Sequence, residues 1–177
     1  MLVPRLARTA PTAQRLASLG LPLLLALGCG ESGSASSSLA PSASLGSPSL
    51  DGWNTAQIDW RPYQEGLAEA QQSNKPIVLV FFTSWCGHCK NYSHIFEDQR
   101  VVAQSKQFVM IRLDKDQHRE LSKKYALDGE YIPRTFILRP DGTVREDIQE
   151  RREKFKYFYD EKKPENLLAA LERGLSP

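Results

Sequence analysis

The stretch KPIVLVFFTSWCGHCK, residues 75–90, places two cysteines directly after a run of apolar residues. The run from Ile77 to Phe82 has the continuous apolar, β-branched and aromatic character of a central strand that is buried on both faces. From Cys86 onward the pattern becomes helical and stays so through Phe96. Two cysteines three positions apart at such a junction fit a redox pair, half of a zinc site or a structural disulfide.

The surrounding sequence predicts alternating helices and strands, with order beginning near 53–60. Taken from the strand before the cysteines, the order is β-α-β-α-β-β-α, which predicts an α/β fold with a central mixed sheet and helices on both faces. The predicted helices, besides the one at the cysteines, cover 61–74, 118–127 and 164–175, and the further strands cover 108–114, 134–139 and 143–148.

The first 28 residues have the composition of an export signal. They contain three arginines and no acidic residue, and residues 16–28 form an apolar segment that Gly20 and Pro22 interrupt. This segment is too short and too broken to span a bilayer as a helix. A basic start followed by a short apolar centre is typical of a signal peptide. A buried N-terminal helix is the weaker alternative, because Pro22 would break it.

The sequence ALGCG around Cys29 resembles the lipobox of bacterial lipoproteins, in which the cysteine is lipidated and becomes the mature N-terminus. An ordinary signal-peptidase site nearby, with Cys29 uninvolved, is the alternative. Three cysteines fit the lipobox, since one pair leaves one over. Residues 29–52 are dominated by serine and predict a flexible tether before a domain over 53–177. We therefore expect export from a bacterial cell and membrane anchoring by lipid on the periplasmic side, with the outer membrane as one candidate.

The charge balance excludes one class of partner. The full chain carries 23 basic and 21 acidic residues, and loss of the signal removes three arginines, which leaves a net charge near −1. A chain so close to neutrality gives no broad electrostatic attraction to nucleic acid. No nucleic-acid partner is expected.

The zinc and structural interpretations of the cysteine pair lack support in the rest of the sequence. A structural zinc site needs further ligands, and there is no second C-x-x-C and no histidine pair at ligand spacing. His94 and His118 are isolated and are expected at the surface. A purely structural disulfide leaves no role for Trp85 and Gly87.

A redox pair accounts for the position of the motif after a strand and at the start of a helix. Unpaired N–H groups and the helix dipole favour a thiolate at Cys86. Cys89 lies one turn further, can reach Cys86 and is more sheltered. A protonated His88 would add positive charge beside the thiolate, stabilise the reduced form and make the disulfide a better oxidant. No metal is expected, and no cofactor other than the redox-active disulfide Cys86–Cys89.

Two motifs together resemble the thioredoxin superfamily: WCGHCK at 85–90 and YIPRTFIL at 131–138. A closer resemblance covers nearly all of residues 58–175, and the segments GEYIPR and KYFY are its most specific parts. It is to a group of single-domain thioredoxin-like proteins of the endoplasmic reticulum, related to the anterior-gradient proteins. With its export signal and lipobox, the chain resembles a bacterial lipoprotein relative of that group.

The resemblance implies a thioredoxin fold and roles for the residues around the pair. Pro133 would be the cis-proline that faces the cysteines, and the backbone of Ile132 would pair with a substrate strand. Trp85 would lie over the cysteine pair, while Gly87 and His88 would modulate its chemistry.

One position departs from the pattern of thioredoxins and disulfide isomerases. Those proteins usually carry a buried acid six residues before the first cysteine, which helps to move the proton of the second. Val80 occupies that position here. The sequence does not show whether Glu97 or Asp98 replaces the acid, so slow attack by Cys89 is expected.

The resemblance and the cysteine pair together favour an enzyme, a thiol–disulfide oxidoreductase of the isomerase or reductase type. Its partners would be exported cysteine-containing proteins and a redox protein or small thiol that recharges the pair. A polypeptide-binding module that holds partners beside Ile132 and Pro133 is the alternative from another class. A reductase serving cytochrome maturation is a further alternative, because the direction of electron flow depends on the recharging partner.

Overall fold

The structure is a computed structural model that describes residues 52–176. The predicted export signal, the lipobox residue Cys29 and all but the last residue of the predicted tether lie outside the described residues. A four-stranded mixed sheet in the order β1-β3-β2-β4 forms the centre. Strand β3 pairs in parallel with β1 and β2, and β4 runs antiparallel to β2. The strands are β1 (Trp60–Arg61), β2 (Ile77–Phe82), β3 (Val109–Asp114) and β4 (Arg134–Leu138).

Helices cover both faces of the sheet, which confirms the predicted fold class. Because side chains alternate along a strand, Val78 and Val80 of β2 belong to one buried cluster and Leu79 and Phe81 to another. The first cluster includes side chains of α2, α3 and α5, and the second includes side chains of α1 and of the end of α4. The helices are α1 (Tyr63–Ser73), α2 (Gly87–Ser93), α3 (Gln99–Ser105), α4 (Arg119–Lys124) and α5 (Glu165–Gly174).

The helix predicted from the cysteines through Phe96 is interrupted. Helix α2 ends at Ser93, a 3₁₀ turn follows over His94–Glu97, and a separate helix α3 then begins. The sequence analysis missed α3. Its start is marked by Asp98, whose carboxylate accepts the N–H of Arg100 at 2.8 Å and acts as a helix cap.

The strand predicted over 143–148 is wrong except for one bridge, between Leu138 and Val144. The backbone leaves the sheet after that bridge, because the N–H of Ile148 turns back to the carbonyl of Arg145 at 2.9 Å. The turn carries Ile148, which is fully buried, into the cluster formed by α2, α3 and α5. The chain buries Ile148 on that face instead of continuing the regular strand pairing that was predicted over 143–148.

Candidate active site

The two cysteines lie at the start of α2 and are joined as a disulfide, with their Cα atoms 5.2 Å apart. Cys86 is the N-cap residue in an extended conformation, and its Sγ accepts the backbone N–H of Cys89 at 3.1 Å. Cys86 is 7% exposed and Cys89 1% exposed. An N–H that points at Sγ stabilises negative charge on that sulfur, so the geometry favours Cys86 as the thiolate and leaves Cys89 sheltered.

A cis peptide bond joins Ile132 and Pro133 opposite the cysteine pair. The carbonyl oxygen of Ile132 lies 3.9 Å from the Sγ of Cys86. Pro133 is buried, whereas Ile132 is half-buried. The structure therefore brings these two residues to Cys86 from a segment more than forty positions further along the chain.

Arg134, the residue after the cis-proline, is fully buried. Its side chain binds backbone groups of the residues that precede the cis-proline. Its guanidinium donates to the carbonyl oxygens of Gly129 at 2.9 Å, Tyr125 at 3.2 Å and Ser122 at 3.3 Å, and also to the Ser122 hydroxyl. Burial lowers the pKa of Arg134 from its usual value. Three aromatic rings lie within 6.0 Å of the guanidinium carbon, those of Phe81, Tyr131 and Phe136. The sequence analysis did not identify this anchor.

A second set of hydrogen bonds ties the same segment to residues 155–157. The Tyr131 hydroxyl donates to the Asp128 carboxylate at 2.8 Å and accepts the N–H of Tyr157 at 2.9 Å. The same carboxylate accepts the N–H of Lys156 at 2.6 Å, and the ring of Phe155 meets that of Tyr131 edge-on. The two most family-specific stretches, GEYIPR and KYFY, are thus in direct contact, which their sequences alone did not indicate.

His88 faces a carboxylate. Its Nδ1 lies 2.7 Å from Oε2 of Glu161, and Asn91 donates to the other oxygen of that carboxylate at 3.2 Å. The imidazole is 70% exposed, and its ring also meets that of Phe158 edge-on. Any positive charge on His88 is therefore opposed by Glu161, a partner that the sequence analysis missed because it lies 73 positions away.

Trp85 and Gly87 flank Cys86 on the exposed side of the site. Trp85 is 72% exposed, and its indole N–H donates to the Asp116 carboxylate at 2.9 Å. At Gly87, nothing lies within 4 Å of the position that a Cβ would occupy. Close packing therefore does not require glycine there.

An apolar side chain, that of Val80, occupies the position at which thioredoxins usually carry a buried acid. Val80 is fully buried in the same cluster as Cys86 and Cys89. Of the two candidate replacements, Asp98 caps α3 and is paired with Arg100 at 2.7 Å. The hydrogen bond from the Arg100 side chain lowers the pKa of Asp98 to about 2. A carboxylate so weakly basic is unsuited to accept a thiol proton.

Two further tests concern metals and membranes. Within residues 52–176, no three His, Cys, Asp or Glu side chains are grouped closely enough to hold a metal ion. In the same residues, no helix is long and apolar enough to cross a membrane.

The mixed sheet, the C-x-x-C at a helix start and the facing cis-proline together define a thioredoxin-like domain. Residues 59–140 match the thioredoxin-like family. The chain is 32% identical over 124 residues to anterior gradient protein 3 of Xenopus tropicalis, and the aligned region covers 68% of this chain and 71% of that protein. It is 30% identical over 148 residues to anterior gradient protein 2 of Xenopus laevis, and that aligned region covers 81% of this chain and 78% of that protein. The chain therefore belongs to the thioredoxin-like family and is a homologue of the anterior gradient proteins, as the sequence motifs predicted.

A solved structure agrees on the fold. A thioredoxin from Thermus thermophilus superimposes with a TM-score of 0.52 at 22% identity, covering 66% of this chain and 86% of that one. At this identity the likeness concerns the fold alone.

Proposed function

We propose that the protein is a thiol–disulfide oxidoreductase that acts on exported cysteine-containing proteins. The observation that carries the proposal is the position of Cys86. Its Sγ accepts an N–H at the start of α2 and lies 3.9 Å from the carbonyl of Ile132 beside the cis-proline. Helix-start N–H groups favour the thiolate, which is the nucleophile in exchange.

The exchange proceeds in two displacement steps. The Cys86 thiolate attacks one sulfur of a client disulfide, a mixed disulfide forms, and the other client sulfur leaves as a thiolate. Cys89, once deprotonated, attacks the Sγ of Cys86 and releases the second client sulfur. The client gains two electrons and the Cys86–Cys89 pair loses them; the reverse sequence oxidises a client. A redox protein or a small thiol restores the starting state.

The surface beside Cys86 suits an extended client segment. The backbone at Ile132 lies at the edge of the site and is half-buried, so it can pair with a client strand, as in other cases of strand addition. The exposed Trp85 adds apolar surface on the other side of Cys86. This arrangement also suits a module that only binds polypeptides, but the presence of both cysteines favours exchange.

The roles of the two cysteines are tested by trapping. Cys89→Ser should accumulate mixed disulfides with client proteins, because attack continues and resolution is lost. Cys86→Ser should neither trap clients nor turn over, and the two variants are matched in chemistry and differ only in position. Exchange activity that survives in Cys86→Ser would overturn the assignment. Client binding without any exchange in the unmodified protein would favour the binding module instead.

The direction of electron flow is tested by the equilibrium redox potential in a glutathione buffer. A value near the roughly −180 mV of disulfide isomerases would support oxidation or isomerisation of clients. A value near the roughly −270 mV of thioredoxin would support reduction, including service to cytochrome maturation.

The proposed location is the periplasmic side of a bacterial membrane, with anchoring through a lipid on Cys29. Cys29→Ser should release the protein from membranes into the soluble periplasmic fraction and leave exchange activity unchanged. An unmodified protein that is already soluble after export would contradict the lipid anchor and favour ordinary signal cleavage.

A further inference from the structure

We propose that Glu97 accepts the proton of Cys89 across a solvent cavity and so replaces the buried acid that Val80 excludes. The inference rests on the proposed exchange activity and adds a positioning residue for its second step. Val80 has no group that can accept a proton, and it is buried in the same cluster as Cys86 and Cys89. The acceptor for the proton of Cys89 must therefore be another side chain near the pair.

A cavity of about 510 Å³ opens beside Cys89. Cys89 itself lines this cavity, together with Thr83 from the end of β2 and Glu97 from the 3₁₀ turn. The volume exceeds by far the roughly 30 Å³ that one water molecule occupies in the liquid, so water can connect Cys89 to the lining side chains.

Three charged or titratable side chains line the cavity besides Cys89: Lys90, His94 and Glu97. Glu97 carries the carboxylate, and its Oε1 lies 3.2 Å from Nδ1 of His94. Both side chains are more than half exposed, so a proton that reaches Glu97 can pass to His94 or to bulk water. The positive charge of Lys90 favours a thiolate at Cys89.

Proton transfer is thus coupled to the resolving step. The Cys89 thiol gives its proton through water to the Glu97 carboxylate, and the Cys89 thiolate attacks the Sγ of Cys86 in the mixed disulfide. The Cys86–Cys89 bond forms, the bond from Cys86 to the client breaks, and the client sulfur leaves with the electron pair. Glu97 then returns the proton to solvent or to the departing client thiolate.

The test compares Glu97→Gln with Glu120→Gln. Glu120 forms the same kind of i,i+3 pair, with Lys123, and is not part of the cavity lining. The Cys86–glutathione mixed disulfide is prepared and its resolution rate measured against pH. In Glu97→Gln, the mixed disulfide should be resolved about tenfold more slowly near neutral pH. This effect is smaller than that of a directly positioned base, because water lies between Glu97 and Cys89. The difference should vanish well above the usual thiol pKa of about 8.5, where Cys89 ionises unaided.

In a Cys89→Ser background, Glu97→Gln should leave the rate of attack on glutathione disulfide unchanged, since attack belongs to Cys86. Equal resolution rates in Glu97→Gln, Glu120→Gln and the unmodified protein would overturn the inference and leave the proposed function intact. An unmodified protein that does not react with glutathione disulfide would instead overturn the proposed function.

Discussion

The candidate active site is formed by two segments that are held in place by different means. The cysteine segment (residues 84–90) is organised by neighbours in the sequence, since the Sγ of Cys86 accepts the N–H of Cys89 at 3.1 Å. The proline segment (residues 128–134) is held by side-chain hydrogen bonds to other parts of the chain. Arg134 holds it to α4 and the turn after it, and Tyr131 and Asp128 tie it to residues 155–157.

This difference suggests that the cysteine segment determines reactivity, while the proline segment determines stability and client binding. Changes in the cysteine segment should alter reactivity and leave the fold intact, because its distant polar contacts, from Trp85 to Asp116 and from His88 to Glu161, are made by exposed side chains. Changes in the proline segment should alter stability and client binding together, because its side chains hold several backbone groups from other parts of the chain. Three predictions test this separation, and their expected effects decrease from Arg134 to His88.

Arg134→Met should have the largest effect on stability. The substitution keeps much of the apolar stem and removes a guanidinium that satisfies carbonyl oxygens of Ser122, Tyr125 and Gly129. Loss of charged hydrogen bonds to buried acceptors costs about 1.5–3 kcal/mol each before relaxation. We expect the free energy of unfolding to fall by about 3 kcal/mol in total, measured by denaturant titration.

Arg134→Lys is the matched control for charge. Its single ammonium keeps the positive charge but lacks the planar fork that reaches several carbonyls at once. We expect a loss of stability that is smaller than that of Arg134→Met, together with weaker client binding. Full stability in Arg134→Lys would show that charge alone, without the fork, holds the proline segment.

Tyr131→Phe should have an intermediate effect. The change removes a hydroxyl that donates to Asp128 and accepts the N–H of Tyr157. A net loss of about 2 kcal/mol is expected for one hydrogen bond to a carboxylate and one of ordinary strength, because the Asp128 carboxylate keeps the N–H of Lys156. Client affinity, measured with the Cys89→Ser trapping variant, should fall as well, because residues 155–157 hold the proline segment through fewer hydrogen bonds.

Tyr63→Phe is the control for Tyr131→Phe. It breaks the buried contact between the Tyr63 and Tyr125 hydroxyls at 2.9 Å, which lies outside the proline segment. A similar loss of stability with unchanged client affinity is expected. If both variants weaken client binding equally, affinity follows global stability and the two segments are not functionally distinct.

The same contrast explains how much the sequence could predict. The strand–cysteine–helix junction was predicted because its signals are local: a continuous apolar run and then C-x-x-C. Pro133 and Ile132 were placed through the resemblance of YIPR to the family. The contacts of Arg134, Tyr131 and Glu161 could not be predicted, because each joins segments that only the folded chain brings together. Helix α3 was missed because its apolar residues, Val101 to Ala103, are consecutive and show no helical spacing.

The smallest effect concerns His88 and tests whether its charge acts on Cys86. From the sequence alone, His88→Pro should shift the redox potential by about 30–60 mV toward negative values, since one unit of thiol pKa corresponds to about 30 mV. The structure reduces this expectation, because the Glu161 carboxylate lies 2.7 Å from the imidazole and opposes its charge. We now expect a negative shift below about 30 mV in the unmodified background.

Glu161→Gln tests the opposition directly, because it keeps the shape and hydrogen-bonding ability of the side chain and removes the negative charge. The reduced form carries a thiolate at Cys86, so loss of a nearby carboxylate should stabilise that form and move the potential to a less negative value. In this background the charge of His88 is no longer opposed, and His88→Pro should produce a larger negative shift than it does alone. The potentials of all four proteins are measured in one glutathione buffer series. Equal His88→Pro shifts in both backgrounds would mean that Glu161 orients the imidazole without screening it, and that the start of α2 sets the reactivity of Cys86.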